Sequence, residues 1–273
     1  MSLQTSGIVL QNENLKSSYF LMRMHSPAIA DKIRAGQFIM IKASREHSPL
    51  LRRPFSIYKT YPSDHPEKNL SGTLFVLYKN VGKGTQRMTD FKKGDEVDII
   101  GPLGNGFSPP PLPSSANVTL IGGGVGIVSL FLLSEGLRMS GLSVYIGGKT
   151  GEDILCEEDF KKLSSEVFIA TEDGGRGYKG TVIDLFSSRA KEKKRRSPRF
   201  IYACGPVEML KELAKRIDVS QCVCQVSLEA RMACGFGACW GCVVRTKRSR
   251  SPYQRVCSEG PVFDIKDIAW KML

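Results

Sequence analysis

Four of the eight cysteines in this chain are spaced for metal chemistry. Cys234, Cys239 and Cys242 form a C-x4-C-x2-C run, Cys234-Gly-Phe-Gly-Ala-Cys-Trp-Gly-Cys242, and Cys257 follows after fourteen intervening residues. That spacing supplies four thiolates to a 2Fe-2S cluster. Two irons sharing two sulfides need ligands from nearly all sides, so the chain must wrap tightly around them. Gly235, Gly237 and Gly241 are expected to take the positive φ angles of such a wrap and to let backbone N–H groups reach the sulfurs. Four cysteines also suit a structural zinc ion, but zinc sites usually pair their ligands as two C-x2-C knuckles, and only one such pair is present. A disulfide framework is the third option, and nothing else in the sequence looks secreted. The cluster is the reading adopted.

Four more stretches carry groups that bind cofactors. In Arg52-Arg53-Pro54-Phe55-Ser56-Ile57 an arginine fork matches a pyrophosphate, and the Ser56 hydroxyl can bond a flavin ring. In Leu77-Tyr78-Lys79 and the following Val81-Gly82-Lys83-Gly84-Thr85, Gly84 and Thr85 open a helix whose free N–H groups attract phosphate. The third stretch, Leu120-Ile121-Gly122-Gly123-Gly124-Val125-Gly126-Ile127, runs from strand through glycines into helix, where backbone amides can hold a dinucleotide. It is not the G-x-G-x-x-G fingerprint, and a tight strand–helix turn is the plain alternative. The fourth is Tyr202-Ala203-Cys204-Gly205-Pro206, at the carboxyl end of a strand, where ligands sit in open α/β sheets. Taken alone, Cys204 reads as a small buried apolar residue.

The elements that must position these groups fall into three parts. Short segments rich in β-branched and aromatic residues, at Gly7–Gln11, Tyr19–Met24, Gln37–Lys42, Phe55–Lys59, Thr73–Lys79 and Glu96–Ile100, predict a small antiparallel barrel with a helix at Gly84–Phe91. Five prolines between Pro102 and Ser115 mark a crossover. Apolar strands at Val118–Ile121, Leu142–Ile146, Val167–Thr171 and Phe200–Ala203 then alternate with helical patterns at Gly126–Arg138, Glu157–Leu163 and Thr181–Ala190, with Val207–Ile217 after them. That alternation predicts a doubly wound parallel sheet. The expected division is a barrel domain at 1–108, an α/β domain at 109–220 and a cysteine-rich module at 221–273.

At 273 residues, with 41% hydrophobic and 24% charged residues, the chain has the composition of a globular protein. Val118 to Leu133 carries no charge, yet it is too short for a membrane span and four glycines interrupt it. Eight cysteines with no secretory signal predict a reducing compartment, hence the cytoplasm. Much of the net charge of +12 lies in two runs, Arg189–Arg199 and Arg245–Arg250. Neither has interleaved aromatic residues to stack bases, so nucleic acid is not an expected partner and the runs read as solvated loop and helix ends. Cys156, Cys222 and Cys224 lack a motif and are expected to be structural; His25, His47 and His65 lie too far apart to act as ligands.

In this order the pieces resemble the ferredoxin-NADP reductase superfamily. The tail, with Glu229-Ala-Arg-Met-Ala-Cys234 and Val256-Cys257-Ser-Glu-Gly-Pro-Val-Phe263, is similar to the electron-transfer subunits of class 1B dihydroorotate dehydrogenases. The resemblance covers nearly the whole chain. It implies that Arg53, Pro54, Phe55, Ser56, Leu77, Tyr78, Lys79, Gly84 and Thr85 bind FAD. It implies that Gly122, Gly123, Gly124, Gly126, Cys204, Gly205 and Pro206 line an NAD(H) site, with Cys204 near the nicotinamide. Cys234, Cys239, Cys242 and Cys257 would ligate the cluster. The implied activity is electron transfer from an FMN-containing catalytic subunit through the cluster and FAD to NAD+ in pyrimidine biosynthesis, in a heterotetramer of two subunits of each kind. The oxidation of dihydroorotate itself would lie on the partner.

Two departures stand out: Val128-Ser129 replaces a small residue and proline, and the basic run Lys191–Arg199 is long. The residues after Ile146, including Lys149, leave NAD and NADP both open, and NAD is implied by the resemblance. A related NAD(P)H-ferredoxin oxidoreductase or sulfhydrogenase subunit is the alternative of the same fold, although the first cysteine is often aspartate in bifurcating relatives. A zinc-stabilised basic binding module is the alternative of another class.

Overall fold

The computed structural model describes residues 2–44, 48–110, 117–137, 142–163, 166–192, 200–248 and 250–273. His47, the end of the expected crossover, Arg138 at the end of an expected helix and residues 193–199 of the first basic run lie outside them.

The first sheet contains seven strands, all antiparallel. These are β1 (Leu3–Lys16), β2 (Tyr19–His25), β3 (Phe38–Ile41), β4 (Arg53–Ser56), β5 (Lys59–Tyr61), β6 (Thr73–Lys79) and β7 (Glu96–Leu103), in the order β4-β3-β7-β1-β2-β6-β5. The sheet curls around Val9, Met22, Ile39, Ile41, Leu74 and Val76, all fully buried. Alternation along β7, with Val97, Ile99, Gly101 and Leu103 inside, is the period-two pattern of a half-buried strand. The expected strand Phe55–Lys59 is two strands. The chain breaks at Ile57 and Tyr58, and the buried Tyr58 ring packs on Phe131 with centroids 5.0 Å apart. Helix α1 (Pro27–Ala30) follows β2, and α2 (Lys83–Met88) follows β6.

The second sheet is parallel except at one edge. Its strands β8 (Val118–Gly123), β9 (Leu142–Gly148), β10 (Glu166–Thr171), β11 (Tyr178–Lys179), β12 (Phe200–Cys204) and β13 (Val223–Ser227) run parallel in the order β11-β10-β9-β8-β12-β13. Beyond them β14 (Val243–Arg245) and β15 (Tyr253–Arg255) form a separate antiparallel ribbon, and β16 (Val262–Asp264) returns antiparallel to β13. The connecting helices are α3 (Val128–Leu137), α4 (Glu157–Lys162), α5 (Val182–Glu192) and α6 (Val207–Arg216). Strand–helix alternation with near-continuous apolar strands is what a sheet covered on both faces requires. Strands β13 and β16 lie beyond residue 220 and complete this sheet, so the cysteine loop hangs from its edge.

Two apolar clusters tie the parts together. Phe38, Met40 and Leu103 of the first sheet share a cluster with Val226, Cys242 and Cys257, while Tyr19, Tyr58 and Leu77 share one with α3 and β8. A polar seam runs alongside. The Tyr19 hydroxyl donates to Asp153 at 2.6 Å, Lys79 pairs with Asp153 at 2.9 Å, and Lys16 donates to the Ile154 carbonyl at 2.6 Å. Tyr58 bonds Asp159, which also pairs with Lys59 at 3.2 Å. Among the described residues no helix is long and apolar enough to cross a membrane.

Candidate functional site

A cleft of about 410 Å³ opens where the two sheets and the cysteine-rich segment meet. One wall is β4 and the end of β6: Arg53, Pro54, Phe55 and Ser56, with Leu77, Tyr78 and Lys79 beside them. These two strands bring together the residues that the sequence separates by about twenty positions. Among the described residues Ser56 Oγ forms no hydrogen bond, which leaves it available to a ligand in the cleft. The adjacent arginines divide their work. Arg52 is spent on Asp98, with bonds of 2.8 and 2.7 Å, whereas Arg53 reaches the cleft and folds back onto the Leu51 carbonyl at 2.5 Å.

Gly84 lies against that arginine: a Cβ there would stand 2.6 Å from Arg53 Nε. Helix α2 begins at Lys83, and Thr85 closes the turn before it by accepting from the N–H groups of Val81 and Gly82 at 2.9 and 3.1 Å. Lys79 borders the cleft while its ammonium is held by Asp153. Burial works to raise the Asp153 carboxyl, but the Tyr19 hydroxyl and Lys79 ammonium outweigh it and hold the group at about 2.

The opposite wall belongs to the second sheet. Gly122 and Gly123 end β8, Gly124 turns at φ +52°, and a single 3-10 turn over Gly124–Ile127 leads into α3. The turn is pressed onto the end of β12. A Cβ on Gly126 would stand 2.5 Å from the Cys204 carbonyl oxygen, and one on Gly205 would stand 3.0 Å from the Gly123 nitrogen. Pro206 abuts Gly123 in the same way. The result is a ledge of exposed backbone at the carboxyl ends of parallel strands, suited to a dinucleotide. Ser129, one of the departures noted above, donates to the Gly126 carbonyl at 2.9 Å and so closes the turn. Burial, then the Glu229 carboxylate, push the Cys204 thiol up to about 12, against a pull downward from Ser129 and Ser227. It is therefore a neutral thiol at physiological pH, a small polarizable wall and not a nucleophile.

The third wall was not expected. Ser227, Leu228, Glu229, Ala230 and Met232 line the cleft and lead directly into Cys234. Glu229 is open to the cleft but enclosed by protein around it, and that burial pushes its carboxyl above the usual range. The only sequence signal was that this stretch immediately precedes the first ligand cysteine.

The four cysteines converge as two pairs. Cys239 N–H donates to Cys234 Sγ and Cys257 N–H to Cys242 Sγ, both at 3.4 Å, and Gly241 N–H donates to Cys239 Sγ at 3.4 Å. Burial raises the Cys234 thiol, but N–H groups of Cys239, Phe236 and Ala238 overcome it and bring it down to about 6. Burial, then the neighbouring Cys242, push Cys257 up to about 12. Among the described residues no three cysteine, histidine or carboxylate side chains gather as a single-ion site. Two thiol pairs with inward-pointing N–H groups fit a two-iron cluster better than one tetrahedral zinc. Gly235 and Gly237 take φ of +80° and +90°, as expected, but Gly241 does not; Trp240 takes the third left-handed position at φ +57°. Gly241 serves instead by bringing its N–H to sulfur. The remaining cysteines have their thiols pushed up by burial: Cys156 to about 12, Cys222 and Cys224 also upward.

This arrangement, a curled antiparallel sheet and a parallel sheet meeting over one cleft with a thiol-pair loop at its end, defines a ferredoxin-NADP reductase-type oxidoreductase with an iron–sulfur module. The chain superposes with TM-score 0.81 and 27% identity on an NADH-dependent reduced ferredoxin-NADP oxidoreductase from work on flavin-based electron bifurcation, covering 97% of this chain and 90% of that one. A ferredoxin reductase of carbazole 1,9a-dioxygenase shares the fold at TM-score 0.64 and 19% identity, over 82% and 69% of the two chains. Residues 229–269 match the iron-sulfur cluster binding domain of dihydroorotate dehydrogenase B. The electron transfer subunit of dihydroorotate dehydrogenase B (NAD(+)) from Desulforamulus reducens is 37% identical over 92% of this chain and 93% of its own. Its counterpart from Bacillus caldolyticus is 38% identical over 85% and 86%. The chain belongs to the family of dihydroorotate dehydrogenase B electron transfer subunits.

Proposed function

We propose that this chain carries electrons between a dihydroorotate-oxidising partner subunit and NAD(H). The observation that carries this reading is the shared cleft: β4, Cys204 and the arm leading to Cys234 are walls of one cavity. FAD would be held by Arg53, Pro54, Phe55 and Ser56, by Leu77 to Lys79 and by the turn at Gly84–Thr85. NAD(H) would lie on the ledge of Gly122, Gly123, Gly124 and Gly126 against Cys204, Gly205 and Pro206. The cluster would be held by Cys234, Cys239, Cys242 and Cys257. When bound, these groups supply one-electron transfer and hydride exchange, which no side chain here can perform.

The protein's own part is placement. Arg53 and the α2 backbone hold phosphate; Ser56 offers a bond to the ring; Cys204 keeps the nicotinamide side of the cleft small and uncharged. The N–H groups of the cysteine loop favour thiolates. The partner would be an FMN-containing catalytic subunit, two of each per assembly, in the cytoplasm, serving pyrimidine synthesis. An NAD(P)H-ferredoxin oxidoreductase subunit is the second reading, because of the structural likeness at TM-score 0.81. The four-cysteine ligand set favours the first.

The test is Cys239→Ser. Cluster absorption and dihydroorotate-dependent NADH formation should both disappear, while NADH–dye reduction continues. Loss of dye reduction with FAD still bound would contradict the proposed order of sites.

A further inference from the structure

Large apolar side chains are exposed in one contiguous place beside the cysteine loop. In the β14–β15 ribbon Val244 pairs with Gln254 and both are buried, so the flanking pairs Val243–Arg255 and Arg245–Tyr253 share the opposite face. The Arg255 guanidinium carries that face onward, lying 4.7 Å from the Trp240 ring centroid and donating to the Gly237 carbonyl at 2.6 Å. Phe236, Trp240 and Tyr253 are 54%, 55% and 52% exposed. Trp240 reaches this position through a left-handed backbone that bulky residues rarely adopt. Exposed aromatics with arginine between them have the composition of interface hot spots.

Charge specifies the occupant further. Arg248 and Arg255 are neutralised by Asp267 at 2.7 Å and by Glu259, whereas Arg245 and Lys247 have no ion-pair partner among the described residues. The end of the strip is therefore net basic. A second copy of this chain would bring the same cations to the contact, while a face with acidic groups around an apolar centre would complement it. The strip also begins inside the cysteine loop, since Trp240 stands between Cys239 and Cys242. Whatever covers it lies against the four thiols.

We propose that this strip, from Phe236 and Trp240 through Arg255 to Tyr253 and Arg245, is the docking surface for the catalytic partner subunit, which meets it with an acidic rim. The proposal rests on the function proposed above. Its test is the affinity of the cofactor-loaded chain for a dihydroorotate dehydrogenase catalytic subunit, read by sedimentation and titration calorimetry. Arg245→Glu and Tyr253→Ala should each weaken the complex about tenfold or more, with cluster absorption and NADH–dye reduction unchanged. Added salt should weaken the wild-type complex. Should Arg245→Glu lose the cluster, Lys247→Ala, outside the paired strands, carries the same expectation. Unchanged affinity in variants whose wild type binds would overturn the docking surface and leave the function standing. Failure of the wild type to bind the catalytic subunit would instead sink the function. Variants that abolish self-association of the isolated chain would assign the strip to a second copy and overturn the proposal.

Discussion

Gly235 of the cysteine loop is seated on Met40 of β3: a Cβ built on the glycine would stand 2.5 Å from Met40 Cγ and 2.8 Å from Sδ. Met40 is in turn the cross-strand partner of Pro54. A single buried side chain thus separates the loop from the strand that walls the cleft, and the packing of the first sheet sets how far the two sites stand apart.

Gly235→Ala places a methyl group into that contact at φ +80°. Both faults act together, and the expected cost is on the order of 2 kcal/mol or more. Iron content per chain and the melting temperature should fall while flavin binding persists. Met40→Ala in the same chain should restore part of the loss, because it removes the collision but not the backbone strain. No restoration would mean that the contact is not limiting.

How much of this was legible beforehand varied with the range of the interaction. The cysteine loop was readable because its ligands and two of its glycines act within nine residues of each other. Its third left-handed residue was misplaced by one, since Trp240 in that conformation breaks a local rule that favours Gly241. The parallel strands announced themselves through unbroken apolar runs. By contrast, the division of Phe55–Lys59 into β4 and β5 depends on Tyr58 finding Phe131 and Asp159, more than seventy residues away in sequence. The cleft wall at Ser227–Met232 likewise follows from β13 joining the second sheet, a pairing that no local pattern specifies.

The two neighbouring arginines should separate by experiment. Arg52→Ala removes a bidentate pair to Asp98 that is about two-thirds buried, and should cost about 1 kcal/mol of stability with FAD affinity nearly unchanged. Arg53→Ala should do the reverse, raising the FAD dissociation constant about tenfold or more with little change in flavin-free stability. Flavin fluorescence titration and denaturant melts on both variants distinguish the roles. Equal effects on FAD would contradict the assignment.

Asp153 anchors the seam between the sheets, and its folded pKa of about 2 lies below the ordinary value of about 3.9. A depressed carboxylate stabilises above its unfolded pKa, and that contribution is lost as pH falls through the folded pKa. Asp153→Asn should therefore destabilise the chain at pH 7 by on the order of 1–2 kcal/mol. The gap to wild type should narrow as pH falls from about 4 towards 2. Denaturant midpoints across that range give the answer, and a gap that widens on acidification would reverse the sign.

The central claim is tested most directly by mixing the cofactor-loaded chain with a dihydroorotate dehydrogenase catalytic subunit under anaerobic conditions and following NADH formation from NAD+ and dihydroorotate. NADH should form only when both chains are present, and the Cys239→Ser chain should not support it. A chain that still reduces dyes with NADH, yet forms no NADH from dihydroorotate with any such partner, would contradict the account.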